Sequence, residues 1–322
     1  MRILMTGAGG PSAISVWKSL SAEHEIHMAD MEPCATGLYL VAEDRRLLVP
    51  RGDAPELVPA LLAACRARKI DLMLPTVDAE FVPLALARAD FEALGVALPI
   101  SPLDCLRVCR DKHELLARVK GIVPVPEYEP LTPDAAARVT SFPRFVKPRL
   151  GAGSRGAEKI TRREDLDALP QDGSILVQEY LPGEEYSVDV YVRGDGRVIA
   201  AVPRERMKTD SGIAVTARTV DVREVIEAAR RVAEEIGVRY VANVQFKRAA
   251  DGIFKLLEVN PRFPGTLPLT TAAGVDMPKL LVDGVAGKKL PDGPLPFKEI
   301  MVVRYWTEHY VDPQEWVKLC RP

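Results

Sequence analysis

The sequence predicts an α/β domain with a parallel sheet, followed by a mixed α+β region whose strands pair antiparallel. Two observations support this fold class. Strand and helix patterns alternate through the first hundred residues, and short strands joined by glycine-containing turns dominate from about residue 144. The chain has 322 residues, 47% of them hydrophobic and 27% charged, which is enough for two or three modules with packed cores.

The N-terminal domain begins with a strand and a glycine-rich turn. Residues 2–5 predict the strand, 7–12 the turn, and a helix follows over 13–21. The alternation continues with a strand that ends at Asp30, a helix over 57–69 and a strand over 71–74. Strands separated by helices of this length imply a parallel sheet, and ligands bind at the strand ends of such sheets.

The glycine-rich turn has two interpretations. With Asp30 it is similar to a dinucleotide-binding fingerprint, and a nicotinamide oxidoreductase is one alternative function. Ser12, however, occupies the position at which that fingerprint needs its third glycine. We therefore favour a tight strand-to-helix turn, whose free amide groups remain able to bind an anion.

Composition excludes several classes of protein. The net charge of −2 argues against a general nucleic-acid binder, and no apolar run is long enough for a transmembrane helix. The N-terminus has a strand pattern rather than that of a signal peptide. Five scattered cysteines do not form a disulfide framework. We expect a cytoplasmic protein with neither nucleic-acid nor membrane partners.

The most informative segment is a predicted β-hairpin. Asp251-Gly252 lies between two alternating runs, which is typical of a two-residue turn. That turn pairs Gln245 with Glu258 and Asn243 with Asn260, all on one face of the sheet. The other face is expected to hold these residues: Ala242, Val244, Phe246, Lys255, Leu257 and Val259.

The polar face of the hairpin has the composition of a magnesium site. Glu258 supplies a carboxylate, and Gln245 and Asn260 supply amide oxygens. Magnesium prefers oxygen ligands and keeps substrate phosphates in its shell, whereas zinc prefers His and Cys. An exposed polar sheet face explains the same pattern equally well.

Two further segments suggest a nucleotide. Lys147 ends a strand and precedes the loop Gly151–Gly156, whose glycines allow backbone amides to approach a phosphate, while Arg155 adds charge. The spacing does not match the P-loop. In the segment 178–189 a strand end is followed by Pro182-Gly183, and Glu185 can accept bonds from ribose hydroxyls.

Together these segments, with Lys112 before them, resemble the ATP-grasp ligases. They occur in the family's order, and the combination is most similar to one synthetase unit of the carbamoyl-phosphate synthetase large subunit and its free-standing bacterial relatives. Pro75–Glu80 is also similar to a segment of those relatives. The resemblance extends to about residue 290. It implies an N-terminal pre-ATP-grasp domain over 1–108, an ATP-grasp lid subdomain over 109–181, a C-terminal subdomain with the metal site over 182–290, and a tail over 291–322.

The resemblance also implies a role for each matching residue. Lys112 and Lys147 would contact the phosphates of ATP under a mobile lid that contains Gly151, Gly153 and Ser154. The adenine and ribose would be met by Glu179, Tyr180, Leu181 and Glu185. Magnesium, with manganese as an alternative, would be bound by Gln245, Glu258 and Asn260. Arg262 would face the γ-phosphate and the acyl phosphate formed from it, and Lys147 and Asn260 would assist catalysis.

The acceptor substrate is expected to be anionic. Arg204 and Arg206 alternate on a strand and share a face, and Arg218 is expected to converge on the same cleft. Arginine suits carboxylate recognition, although a solvated edge strand explains the same pattern. Gly265, in the loop after Arg262, is expected to complete the pocket.

The sequence therefore predicts an ATP- and magnesium-dependent carboxylate–amine ligase that works through an acyl phosphate and releases ADP and phosphate. An amino acid is the favoured small-molecule substrate, and a homodimer is expected by resemblance. Two further alternatives remain: an enzyme that phosphorylates carbamate or bicarbonate, and a non-catalytic nucleotide-binding subunit.

Overall fold

A computed structural model describes residues 1–151, 153 and 155–320. The strands are β1 Arg2–Thr6, β2 Glu25–Asp30, β3 Arg46–Leu48, β4 Leu72–Leu74, β5 Tyr128–Pro130, β6 Arg144–Pro148, β7 Glu158–Ile160, β8 Ile175–Glu179, β9 Glu185–Val192, β10 Val198–Asp210, β11 Ile213–Thr219, β12 Tyr240–Arg248, β13 Phe254–Asn260 and β14 Met301–Val303.

The helices are α1 Pro11–Leu20, α2 Leu57–Arg68, α3 Phe81–Leu86, α4 Arg88–Ala93, α5 Leu103–Arg110, α6 Lys112–Val119, α7 Pro133–Arg138, α8 Arg163–Asp167, α9 Arg223–Glu235, α10 Leu267–Ala272, α11 Met277–Val285 and α12 Pro313–Cys320. Short 3₁₀ helices cover Thr36–Leu40, Glu43–Arg45 and Asp78–Glu80. In the part of the chain that the structure describes, no helix has the length and apolarity needed to span a bilayer.

The strands form three sheets. The N-terminal sheet has the order β3-β2-β1-β4 and is parallel throughout, which confirms the predicted α/β domain. A six-stranded central sheet, β13-β12-β9-β10-β11-β14, and a four-stranded sheet, β5-β8-β6-β7, are antiparallel. The predicted fold class is thereby confirmed.

Two hydrophobic cores fix the site between these layers. One core joins the N-terminal domain to the central sheet, since Ile3 and Val16 cluster with Val202 and Leu267. A second core lies under the central sheet, where Leu115 and Val119 of α6 pack with Val188 and Val244. The four-stranded sheet has a small core of its own that begins at Leu131. The four-stranded sheet therefore forms a separate lobe opposite the central sheet.

The C-terminal segment joins the central sheet. β14 pairs with β11 as the edge strand, and Arg46 of the N-terminal sheet forms an ion pair of 2.6 Å with Glu315 of α12. Tyr305, Trp306 and Tyr310, between these two elements, remain almost fully exposed.

Candidate active site

Three polar side chains of β12 and β13 meet as predicted. The observed register places Gln245 opposite Glu258 and Asn243 opposite Asn260. Asn260 Nδ2 donates to Glu258 Oε1 over 3.0 Å, and Gln245 Nε2 donates to Asn243 Oδ1 over 3.1 Å. Glu258, Gln245 and Asn260 are defined here as the polar triad.

The turn of this hairpin differs from the prediction. Ala249 N donates to Ile253 O, and Gly252 N donates to Ala249 O, so the loop has three residues rather than two. Gly252 closes it with a φ of +86°, as in a type I turn followed by a left-handed residue. An extra residue at Leu257 forms a bulge in β13 and restores the predicted pairing at Glu258.

The bulge changes the neighbours of the polar triad. Lys255 pairs with Lys247 on the polar face, whereas the sequence placed Lys255 and Leu257 on the apolar face. Lys255 Nζ binds both carboxylate oxygens of Glu179 at 2.7 and 2.9 Å. Leu257 lines a cavity, and its carbonyl accepts a 2.9 Å bond from Lys147 Nζ.

The first cavity, of about 270 Å³, lies between the four-stranded sheet and the central sheet. We call it the nucleotide cavity. Its lining includes most of the residues predicted for ATP and metal: Lys112, Lys147, Gly151, Tyr180, Leu181, Glu185, Gln245 and Glu258. Glu179 is outside the lining, with its carboxylate turned to Lys255. Gly153 lines a neighbouring cavity, and Ser154 lies outside the described residues.

Two buried lysines supply uncompensated positive charge to the nucleotide cavity. Lys112 is the first residue of α6, which Asp111 caps, and its Nζ donates to Gly151 O over 2.6 Å. Neither Lys112 nor Lys147 has a carboxylate within ion-pair distance in the described ranges. Burial lowers the pKa of Lys147 to about 8, although the nearby Glu258 opposes the shift. Buried charges are costly unless paired, so the two lysines favour an anionic ligand.

Arg206 connects Glu185, the residue predicted to bind ribose, to Gln245 of the polar triad. Arg206 Nη1 donates to Glu185 Oε1 over 2.5 Å and to Gln245 Oε1 over 3.2 Å. Lys247, two residues after Gln245, lies 3.8 Å from Glu185 and lines the same cavity. Lys247 was not predicted as a site residue, although its alternation with Gln245 on β12 places both side chains on one face of the sheet.

A second cavity, of about 510 Å³, lies between the N-terminal domain and the central sheet. We call it the acceptor cavity. Arg262 lines it and forms a 2.9 Å ion pair with Asp78 of the N-terminal domain. Gly265 also lines it, and a Cβ on Gly265 would approach Pro11 Cγ to 2.9 Å, so only glycine fits this close approach. The two cavities share Arg206, Gly212, Gln245 and Glu258.

The structure corrects the expected substrate role of Arg204. Its side chain is 2% exposed and binds Asp189 through two bonds of 2.6 and 2.8 Å. Asp189 also accepts bonds from Asn243 and Thr270, at 2.7 and 2.5 Å. The charge of Arg204 is therefore compensated inside the protein, and Arg204 contributes to a buried network in the wall of the acceptor cavity.

Arg218 does not converge on the cleft. It pairs with Glu205, which alternates with Arg204 and Arg206 and so lies on the opposite face of β10. The Arg218 side chain is 52% exposed. Ser211-Gly212 forms a two-residue turn with positive φ at both residues, and counting back from it would have paired Glu205 with Arg218 from the sequence alone.

The polar triad contains one carboxylate. It therefore fits a single magnesium ion better than a cluster of metal ions, which would need several carboxylates. Glu258 lines both cavities and Asn260 lines the acceptor cavity, whereas the Gln245 oxygen already accepts a bond from Arg206. Within residues 1–151, 153 and 155–320, no group of three His, Cys, Asp or Glu side chains is arranged to hold a metal. Oxygen donors next to a phosphate cavity suit magnesium that arrives with a nucleotide.

The three sheets and the lysine-lined cavity agree with the architecture that the resemblance to ATP-grasp ligases implies. A family model described as ATP-grasp in the biosynthetic pathway with Ter operon matches residues 171–309, and a model described as PylC-like, N-terminal domain matches residues 3–99. The chain is thus similar to a PylC-like N-terminal domain over its first hundred residues and to an ATP-grasp domain over 171–309, and the predicted resemblance to the superfamily is confirmed.

Known proteins agree with this assignment. The carbamoyl phosphate synthase large chain of Thermoanaerobacter sp. (strain X514) is 31% identical over 47% of this chain and 16% of its own length. That of Thermoanaerobacter pseudethanolicus is 31% identical over 57% of this chain and 19% of its own length. The chain therefore spans less than a fifth of either relative.

Solved structures share the fold across most of the chain. N5-carboxyaminoimidazole synthetase from Staphylococcus aureus, complexed with ADP, superposes with a TM-score of 0.73 at 15% identity, covering 93% of this chain and 81% of that one. Biotin carboxylase from Campylobacter jejuni gives a TM-score of 0.72 at 16% identity, covering 92% of this chain and 73% of that one.

Proposed function

We propose that the protein is an ATP- and magnesium-dependent ligase that joins a carboxylate to an amine through an acyl phosphate. The observation that carries the proposal is the meeting of the nucleotide and acceptor cavities at Glu258 and Gln245. A triphosphate in the first cavity and a carboxylate in the second would meet at the one place where the polar triad offers oxygen ligands. ADP and phosphate would be the products.

Each step has a matching group in the chain. A carboxylate is a poor electrophile, and phosphorylation converts it to an acyl phosphate that an amine can attack. We propose that Lys112 and Lys147 bind the nucleotide phosphates and that Arg262 stabilises negative charge on the transferred group. Magnesium bound by Glu258 and Asn260 would supply additional neutralisation of phosphate charge. The catalysis is positioning and electrostatics, without a covalent enzyme intermediate.

The glycine loop has a proposed role in excluding water. Gly151 lines the nucleotide cavity and Gly153 the acceptor cavity, with positive φ angles of 131° and 72°. An acyl phosphate hydrolyses if water reaches it, so closure of this loop over the bound nucleotide would protect the intermediate. We propose that residues 151–156 form this lid, as the family resemblance implies.

An isotope experiment tests the mechanism. A panel of small carboxylates and amines is screened for phosphate release with ATP and magnesium, and the productive carboxylate is then labelled with ¹⁸O. The label is expected in the released phosphate, because the acyl phosphate retains a carboxylate oxygen in its bridge. AMP and pyrophosphate as products would show adenylation and contradict the proposal. Glu258→Gln serves as the inactive control for background ATPase.

Bicarbonate is a second candidate substrate, favoured by the similarity to carbamoyl phosphate synthase large chains. ATP hydrolysis that depends on bicarbonate, and that Glu258→Gln abolishes, would support it. Hydrolysis that is independent of bicarbonate but dependent on an organic carboxylate would exclude it. ATP binding without turnover over the whole panel would instead favour a non-catalytic nucleotide-binding subunit.

A homodimer is proposed from the resemblance alone and is tested by light scattering.

A further inference from the structure

The acceptor cavity contains three arginines, and each already forms an ion pair with a carboxylate of the protein. Arg204 is paired with Asp189, Arg206 with Glu185 and Arg262 with Asp78. A substrate carboxylate that bound any of them would have to compete with an existing ion pair. Positive potential that is not already paired with a protein carboxylate must therefore come from another part of the cavity.

That source is the N-terminus of α1, which opens onto the acceptor cavity. The helix spans ten residues, its N-cap is Gly10, and no side chain caps it. The amides of the first turn have no partner within the helix, and the helix dipole places partial positive charge there. Pro11 and Ser12 of this turn both line the cavity.

Ser12 provides an independent sign of a ligand. It is 7% exposed, and no hydrogen bond to its hydroxyl is present in the described part of the chain. The Ser12 side chain lines the acceptor cavity, so its hydroxyl is available to donate a hydrogen bond to a ligand there. Together with the free amides of the helix, it forms a ready acceptor for a carboxylate.

A negative group lies in the same cavity. Asp30, at the end of β2, accepts bonds from the amides of Gly9 and Glu32 at 2.8 and 3.0 Å. Within the described ranges no lysine, arginine or histidine forms an ion pair with it. Asp30 lines the acceptor cavity and is free to bind a ligand cation.

We infer that the acceptor cavity recognises an α-amino acid through its two charged groups. The ligand carboxylate binds the α1 N-terminus and Ser12, and the ligand ammonium binds Asp30. Arg204 and Arg218 take no part. This inference rests on the proposed ligase function, and it identifies specificity-determining residues that belong to the N-terminal domain rather than to the ATP-grasp lobes.

The test is a binding experiment on the full chain with magnesium and a non-hydrolysable ATP analogue present. The twenty proteinogenic L-amino acids are screened individually by thermal shift, and the best is measured by calorimetry. Its decarboxylated and deaminated analogues are then compared with it. We expect each analogue to bind at least about tenfold more weakly, because each loses one charge-assisted contact.

Variants assign the two charges. Ser12→Asp places a carboxylate where the ligand carboxylate binds, so amino-acid affinity is expected to fall at least about tenfold. Ala22→Asp, an exposed position of the same domain, is the matched charge control and is expected to change affinity less than about twofold. Asp30→Asn is expected to weaken the amino acid about tenfold and to leave its deaminated analogue unaffected.

The outcomes separate this inference from the ligase proposal. Affinity for the ATP analogue is measured in every variant and is expected to be unchanged, which also reports folding. If the analogue binds but no amino acid does, or if Ser12→Asp binds the amino acid like the wild type, the inference is wrong and the ligase proposal stands. If the wild type does not bind the ATP analogue, the ligase proposal itself fails.

Discussion

Removal of Arg204 should destabilise the protein strongly, because its partner would remain buried. The Arg204 and Asp189 side chains are 2% and 0% exposed and share two bonds of 2.6 and 2.8 Å. Arg204→Met leaves the Asp189 carboxylate buried with only Asn243 and Thr270 as donors. Breaking a buried pair in this way costs about 3–5 kcal/mol.

Thermal unfolding of the ligand-free protein measures this cost. A loss of about 3–5 kcal/mol lowers the midpoint by roughly 4–7 °C in a chain of this size. Arg218→Met is the matched control. It removes an arginine of the neighbouring strand β11 that is 52% exposed and pairs with Glu205 at the surface. Surface ion pairs contribute about 0–1 kcal/mol, so the control midpoint should shift by no more than about 2 °C.

A double variant tests the reason for the effect. Asp189→Asn combined with Arg204→Met removes both charges, and it should be more stable than Arg204→Met alone because no unpaired carboxylate is buried. If Arg204→Met unfolds within about 2 °C of the wild type, or if the double variant is the less stable of the two, Arg204 is not held by a buried ion pair, and the original substrate role returns.

Three further predictions concern titratable groups of the site and its support. Glu258→Gln should lower turnover at least about a hundredfold while the unfolding midpoint changes little, as steady-state kinetics and circular dichroism would show; an active variant would displace the metal site. The pKa of Lys147 is lowered to about 8, so its charge is present below pH 8 and is lost above it. ATP affinity, measured by calorimetry, should therefore fall by up to about tenfold per pH unit above pH 8, and Lys147→Met should bind weakly with no such dependence. Burial raises the pKa of Glu80 from 4.5 to about 7, despite a hydrogen bond from Thr6, so the native state keeps a proton that the unfolded state releases between those pH values. Stability should fall as pH rises from about 4.5 to 7, by up to about 3 kcal/mol, and Glu80→Gln should flatten this dependence in denaturant titrations at pH 5 and pH 8.

The hairpin shows how far sequence patterns reach. Counting back from the Asp251-Gly252 turn placed Gln245 opposite Glu258 correctly, although the loop has one more residue than predicted and the bulge at Leu257 adds one residue to β13. The two additions cancel at the polar triad, but they do not cancel between the turn and the bulge. Lys255 lies in that stretch, so it was assigned to the wrong face. Turn geometry and bulges depend on backbone angles that a hydrophobic pattern does not encode.

The arginines show where patterns stop. Alternation correctly put Arg204 and Arg206 on one face of β10, but their carboxylate partners, Asp189 and Glu185, belong to the neighbouring strand β9. The sequence pattern does not distinguish a cationic side chain that faces a ligand from one that faces a buried carboxylate. Arg218 is the exception, since the two-residue turn at Ser211-Gly212 contained the information needed to place it.

By itself, the sequence determined the fold class and the pairing of Gln245 with Glu258 in the hairpin. These follow from periodicity and from short-range spacing along the chain, whereas the roles of Lys112 and Lys147 are implied by the family resemblance and stay predictions. Only the tertiary structure decided which charges are already neutralised, which two cavities meet at Glu258, and that Ser12 and Asp30 face the acceptor cavity. Those facts depend on contacts between residues far apart in the chain, and such contacts exist only once the layers have packed.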